Sequence, residues 1–216
     1  VIGTRAERQG QEAPLRAEAG GIRAPGSRYE SACAAAGVGV REAVRTIRAG
    51  DADVGRAGGM ERMTNLETPA VTEGLAMAAD DLFEVHAGVT FPGAYALLAR
   101  AYFEAHGGTR RDLAHVAVKN HANAVPNEYA QFRDPISIRD ALDAPPVADP
   151  LHLYDACPIT DGASAIVLVS ESYAADNDID APVAVTGAGQ GSDRMAIADR
   201  ADLTRTPAAV AAAAAA

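Results

Sequence analysis

The chain has no tryptophan, and aromatic residues supply only 5% of its 216 positions. Hydrophobic residues still reach 48%, so a core can form, but it must rest on Ala, Val, Ile and Leu. Lysine is almost missing: of 19 basic residues only Lys119 is a lysine. Formal net charge is −10, which argues against nucleic acid or an anionic membrane as partner. Cysteine is scarce too. Cys33 and Cys157 are the only two, far apart, with no spacing of a disulfide framework or a zinc site. A reducing, cytoplasmic interior is the simplest compartment. No apolar run is long enough to span a bilayer. The opening Val1-Ile2-Gly3-Thr4-Arg5 reads neither as a signal peptide nor as a natural initiation sequence. The end, Thr206-Pro207-Ala208-Ala209-Val210 and six alanines, reads as the first turns of a helix. Both ends are those expected of a piece of a longer protein.

What is present centres on Cys33. It sits in Tyr29-Glu30-Ser31-Ala32-Cys33-Ala34-Ala35-Ala36-Gly37, ahead of an amphipathic segment. Val40, Val44 and Ile47 recur at helical spacing and Gly50 supplies a stop. The pattern predicts a strand over 28–32, the thiol at its end, and a helix over 34–49. A helix N-terminus offers unpaired N–H groups and partial positive charge. Both favour a developing thiolate, so a cysteine there is a candidate nucleophile. Gly37 and Gly39, poor helix formers, suggest close approach by another backbone.

Downstream, Asp53-Val54-Gly55-Arg56-Ala57-Gly58-Gly59 reads as a strand ending in a glycine turn, completing a βαβ rhythm. Arg56 is odd inside such a strand, because an unpaired buried charge is costly; an edge position would tolerate it. Residues 60–90 read as loops and short helices. Thr90-Phe91-Pro92 opens a helix through His106, closed by Gly107-Gly108. Thr109-Arg110-Arg111-Asp112 is an acidic capping box that starts a second helix. Residues 120–158, rich in Pro, Asn and Asp, read as a long irregular stretch of the kind that often carries function. Residues 161–169 read as a buried strand and 182–186 as another. Upstream, residues 9–19 read as a short helix.

Several segments together resemble the thiolase superfamily, in its sterol-carrier-protein-type and archaeal acetyl-CoA acetyltransferase branch. Glu30-Ser31-Ala32-Cys33-Ala34 resembles the nucleophile motif, and Asp53 to Thr64 the following strand and glycine turn. Lys119-Asn120-His121-Ala122-Asn123, Asn127 and Ala130-Gln131-Phe132 resemble the loop signature. Leu153-Tyr154-Asp155-Ala156-Cys157-Pro158 and Asp161-Gly162-Ala163 resemble the next block, and Gly10-Gln11 with Ala13-Pro14-Leu15 the segment upstream of the cysteine. Order and rough spacing hold across nearly the whole chain.

The resemblance implies an α/β, thiolase-like layered fold: two βαβαβαββ halves in five layers, with a loop domain inserted in the first. It divides this chain into 1–65, part of the first half with the nucleophile; 66–158, the inserted loop domain; 159–175, a returning strand; and 176–216, the start of the second half. It also implies an acyl-CoA C-acyltransferase that forms or cleaves 3-ketoacyl-CoA. Cys33 would carry the acyl group. His121, Asn127 and Gln131 would face the substrate, and Tyr154, Cys157 and Pro158 would lie near the pantetheine arm. Coenzyme A enters as part of the substrate, with no metal or redox cofactor. Relatives are homodimers or homotetramers, and archaeal ones work beside a small OB-fold partner protein.

Three departures stand out. The family's activating histidine, its Cys-x-Gly acid/base motif and its histidine or asparagine oxyanion motif are not found here, so impaired catalysis is expected. Cys157 precedes a proline in a different block and reads as a packed thiol, not as the second catalytic cysteine. Ala35 and Ala156 replace residues common in relatives. Two alternatives stay open: a related condensing enzyme such as a hydroxymethylglutaryl-CoA synthase or ketoacyl synthase, and a non-catalytic scaffold that binds acyl-CoA or a partner.

Other motifs point to no chemistry. Gly187-Ala188-Gly189-Gln190-Gly191 has the outline of a dinucleotide fingerprint but lacks its helix and acid. Asp176, Asp178 and Asp180 lack the EF-hand glycine and glutamate and read as a solvated turn. Met60 and Met63 read as packing residues, and His86, His106, His115 and His152 as surface or capping residues.

Overall fold

The computed structural model describes Gly21 and residues 23–216. The helix expected over 9–19 and the resemblance at Gly10–Leu15 lie outside the described residues. Two compact units divide the chain. One is drawn from Val1–Leu66, Asp161–Asp193 and Pro207–Ala216; the other from Glu67–Thr160 and Arg194–Thr206.

In the first unit a 3-10 turn, Ala32–Ala34, runs directly into α1 (Ala35–Arg48). No strand forms at 28–32; that expectation is corrected, and with it the βαβ unit. The strand that follows α1, β1 (Val54–Glu61), pairs instead antiparallel with β4 (Gly162–Val169). The register runs from Val54 opposite Val169 to Glu61 opposite Gly162. One face of β1 meets α1. A Cβ on Gly55 would stand 3.3 Å from Ile47 Cδ1, and one on Gly59 would stand 3.2 Å from the Ala36 methyl. Between them Ala57 is buried, as are Ala35 and Val44 of α1. The glycines expected to end the strand therefore lie inside it, because a helix packs closely on that face. By contrast, Gly37 has open space beside it and Gly39 only the edge of Tyr29, so neither marks a backbone crossing.

Arg56 points to the opposite, uncovered face and is exposed, so its charge remains solvated. β4 is exposed over its first six residues, not buried as expected, because one strand and one helix cover only part of it. Residues 182–186 form no strand with any described residue; Arg48 Nη2 donates to the carbonyls of Val185 and Thr186. The glycines at 187, 189 and 191 lie along α7 (Pro207–Ala214) and its continuation. A Cβ at each would strike the carbonyl of Ala216, Ala212 or Ala208 respectively. Four helical residues rise about 6.0 Å, close to the two-residue repeat of an extended strand, so the contacts fall in step.

The second unit is mostly helical: α2 (Thr68–Ala76), α3 (Phe91–His106), α4 (Arg110–Ala124) and α5 (Ile138–Asp143), with a short ribbon of β2 (Pro146–Ala148) and β3 (Leu151–His152). Thr90 caps α3, and Gly107 and Gly108 both take positive φ at its end. The predicted capping box closes on α4: the Thr109 N–H donates to the Asp112 carboxylate at 2.7 Å, and Thr109 Oγ1 accepts from the Arg111 N–H at 3.2 Å. Residues 120–158 are far more ordered than expected. α4 continues through the asparagines to Ala124, because Ala114 and Ala117 pack with Ala141 of α5 and with Ile136, Ile138, Leu142 and Tyr154. Among the described residues the buried apolar positions are alanines, two valines and Pro150, with no aromatic among them. Glu84 is buried in a π-helical turn, Asp81–Val85, where its carboxylate accepts the N–H groups of Asp80 and Ile197. A last short helix, α6 (Glu171–Asp176), belongs to the first unit; Asp176, Asp178 and Asp180 around its end are exposed.

Candidate active site

Cys33 occupies the middle of the 3-10 turn at the mouth of α1, free and exposed. The turn is built by its neighbours. Glu30 Oε1 accepts the Ala32 N–H at 2.8 Å, and the Ser31 carbonyl accepts the Ala34 N–H at 2.9 Å. Ala32 takes φ +45, a left-handed conformation that an alanine adopts only at a cost of about 1–2 kcal/mol. That strain sits one residue before the thiol and presents it outward, as backbone outliers at functional positions often do.

The thiol borders a groove of about 530 Å³. Its walls are Ala32, Ala36 and Val40 beside Cys33, residues 57–61 of β1 and residues 162–166 of β4. The lining is mostly small and apolar; Val40, Met60 and Ile166 are its larger apolar side chains, and Glu61 and Ser164 its polar ones beside Cys33. Met60 lines it; Met63 does not. Sequence reasoning found Cys33 but missed the β4 wall. The Asp161-Gly162-Ala163 motif was its only signal.

At the end of this groove Asp161 Oδ1 accepts the N–H groups of Met63 (2.7 Å) and Thr64 (2.9 Å), and Oδ2 accepts the Thr64 hydroxyl (2.7 Å). These bonds, first the Thr64 hydroxyl and then the two amides, hold the Asp161 carboxyl below the usual carboxylate range.

The remaining sequence-derived residues all lie in the second unit. His121 is on the last turn of α4, not in a loop. Its Nδ1 lies 2.9 Å from the Asp134 carbonyl, and Tyr154 meets its ring edge-on at 5.4 Å. A carbonyl can only accept, so Nδ1 is the donor in this bond. Gln131 bonds the Thr160 hydroxyl. Pro158 is exposed, and its carbonyl lies 3.5 Å from that same hydroxyl. Asn127 closes the turn after α4, its Oδ1 accepting from the Tyr129 N–H at 3.1 Å. Cys157 is exposed rather than packed. The structure therefore brings His121 together with Tyr154, and Gln131 with the 158–160 segment. All five histidines fall between residues 86 and 152, so the unit that carries Cys33 holds no imidazole. Among the described residues no group of three or more His, Cys, Asp or Glu could hold a metal ion.

Residues 3–172 match the family described as "Thiolase, N-terminal domain". The chain belongs to the thiolase family. It is 40% identical over 186 residues to an acetyl-CoA acetyltransferase of Methanothermobacter thermautotrophicus, covering 86% of this chain and 48% of that protein. It is 39% identical over 160 residues to the benzoylsuccinyl-CoA thiolase subunit BbsB of Thauera aromatica, covering 73% of this chain and 40% of that one. Among solved structures, a chain of the "Ltp2-ChsH2(DUF35) aldolase" superposes with a TM-score of 0.67 at 28% identity, covering 81% of this thiolase-family chain and 46% of the other. The chain thus spans about half the length of the relatives it matches. No helix among the described residues is long and apolar enough to cross a membrane.

Proposed function

We propose that the chain carries the acyl-accepting half of an acyl-CoA C-acyltransferase, with Cys33 as nucleophile. The observation that carries the reading is a free, outward thiol at the start of α1, bordering an apolar groove. The Cys33 sulfur gives up its proton and attacks the thioester carbonyl carbon of an acyl-CoA. The carbonyl oxygen takes the negative charge, for which N–H groups at a helix start are suited donors. The bond to the CoA sulfur then breaks, and CoA leaves as a thiol with the proton. One thioester replaces another, so the step is nearly balanced in energy. Forming or cleaving a 3-ketoacyl chain further needs a base at the α-carbon of a second acyl-CoA. His121, Asn127, Gln131, Tyr154, Cys157 and Pro158 are proposed as substrate contacts. A small second protein beside this chain is proposed as well, in keeping with the two-component description of the solved aldolase.

Binding without turnover is the second reading. It rests on the same apolar groove beside Cys33 and needs no base at the thiol. Mass spectrometry after incubation with acetyl-CoA separates the two. Acyl transfer predicts one acetyl group on Cys33, absent from Cys33→Ala. An unmodified mass, or equal labelling of Cys157, rejects the acyl-transfer reading.

A further inference from the structure

The β1–β4 ribbon floors the Cys33 groove, yet it is poorly equipped to stay closed. Among the described residues it pairs two strands, and each leaves one edge without a described partner. Gly58 and Gly59 weaken the very stretch that lines the groove. At its last pair, Glu61 opposite Gly162, the chain departs and returns only after the whole of Glu67–Thr160, a loop whose ends cost entropy to hold together. The opposite end of the ribbon is pinned: the Ser170 N–H donates to the Asp53 carbonyl at 2.8 Å, and Ser170 Oγ to Asp53 Oδ1 at 3.0 Å.

At the groove end the Asp161 side chain pins the ribbon. Backbone pairing stops at Gly162, and the Asp161 carboxylate takes over, gathering two amides and one hydroxyl from Met63 and Thr64. We propose that Asp161 is a positioning residue: its carboxylate clasps Met63 and Thr64 and so holds the ribbon end that forms the groove wall facing Cys33. Asp161 directly precedes the β4 wall, and Met63 follows the β1 wall by two residues, so an open clasp frays the strand ends that line the groove. The inference goes beyond acyl transfer and does not depend on it.

The charged groups near the clasp are few. Arg62 adds a favourable charge, and neighbouring Glu61 uses Oε1 to accept the Arg62 N–H at 3.1 Å. Because the Asp161 carboxyl is held below its ordinary value, the clasp stays shut above that ordinary value and opens as pH falls through the lowered one.

Hydrogen exchange read by mass spectrometry on the full chain tests this without any acyl-CoA. Asp161→Ala should speed exchange of the Met63 and Thr64 amides by about tenfold or more, since hydrogen bonds to a charged group are lost. The increase should spread to 57–61 and 162–166. Asp161→Asn, like the protonated acid, should restore only part of the protection, because its amide oxygen still accepts both N–H groups but carries no charge, and it should lack the acid-induced change. Thr64→Val, which removes only the hydroxyl bond, should give a smaller rise and serves if the alanine variant does not fold. Wild type should show an acid-induced opening, after correction for intrinsic rates, that Asp161→Ala lacks. Unchanged protection at Met63 and Thr64 in Asp161→Ala overturns the clasp. A rise confined to those two amides overturns its role in positioning the groove. Neither result bears on whether Cys33 accepts an acyl group.

Discussion

Glycine shows most clearly how a residue's meaning depends on its neighbours. Gly37 lies inside α1 with open space where a Cβ would stand. A methyl there fills no occupied volume and lowers the entropy lost on folding, so Gly37→Ala should stabilise by about 0.5–1 kcal/mol. Gly189 is the opposite case, since its Cβ would collide with the Ala212 carbonyl of α7. Gly189→Ala should destabilise by about 1–3 kcal/mol, because a helix backbone must move aside. Urea unfolding midpoints of the two variants test both signs. Both glycines look alike in the sequence: one was expected to meet a crossing backbone and does not, while the other came from a rejected dinucleotide fingerprint and does. Cys33 was legible because its signal is local, a thiol followed by helical periodicity. Asp161 as a clasp was not, because Met63 and Thr64 are nearly a hundred positions away.

At the scale of elements, the starts of α4 and α5 carry matching capping boxes. Asp112 takes the Thr109 N–H at 2.7 Å, and Asp140 takes the Ser137 hydroxyl at 2.7 Å and its N–H at 2.8 Å. Both carboxyls are held below the usual carboxylate range, Asp112 chiefly by the Thr109 amide and Asp140 chiefly by the Ser137 hydroxyl. A carboxyl lowered in the folded state stabilises it fully above the unfolded value, near pH 4, and stops doing so as pH falls through the folded value. Urea midpoints measured from about pH 5 down to pH 2 should therefore fall for wild type. The fall should be shallower for Asp112→Asn and Asp140→Asn. A slope unaltered in both variants contradicts the assignment. The α4 cap was read because Thr-x-x-Asp is a contiguous signal; the Ser137 box is just as contiguous but lay in a stretch expected to be irregular. The far end of α4 was not: Asn120, His121 and Asn123 are weak helix formers, and packing of Ala114 and Ala117 outweighs them. Likewise 182–186 has strand composition but forms no strand with any described residue.

For the whole molecule, the division into two units makes a simple demand on energetics. Thr109→Ala removes a cap in one unit, at about 1 kcal/mol. Gly189→Ala disturbs packing in the other. They share no partner, so their combined effect on stability should equal their separate effects within about 0.5 kcal/mol. A larger coupling in the double variant contradicts that independence. The sequence by itself determined the family, the place of Cys33 at the start of a helix, the caps of α3 and α4, and an aliphatic core poor in aromatics, because each is written in composition or in residues close together along the chain. Tertiary structure alone decided that β1 pairs antiparallel with β4, that its glycines lie within a strand under α1, that Arg56 faces outward, and that Asp161 closes the groove end. Those outcomes depend on which surfaces meet, and long-range contact is not encoded in local spacing.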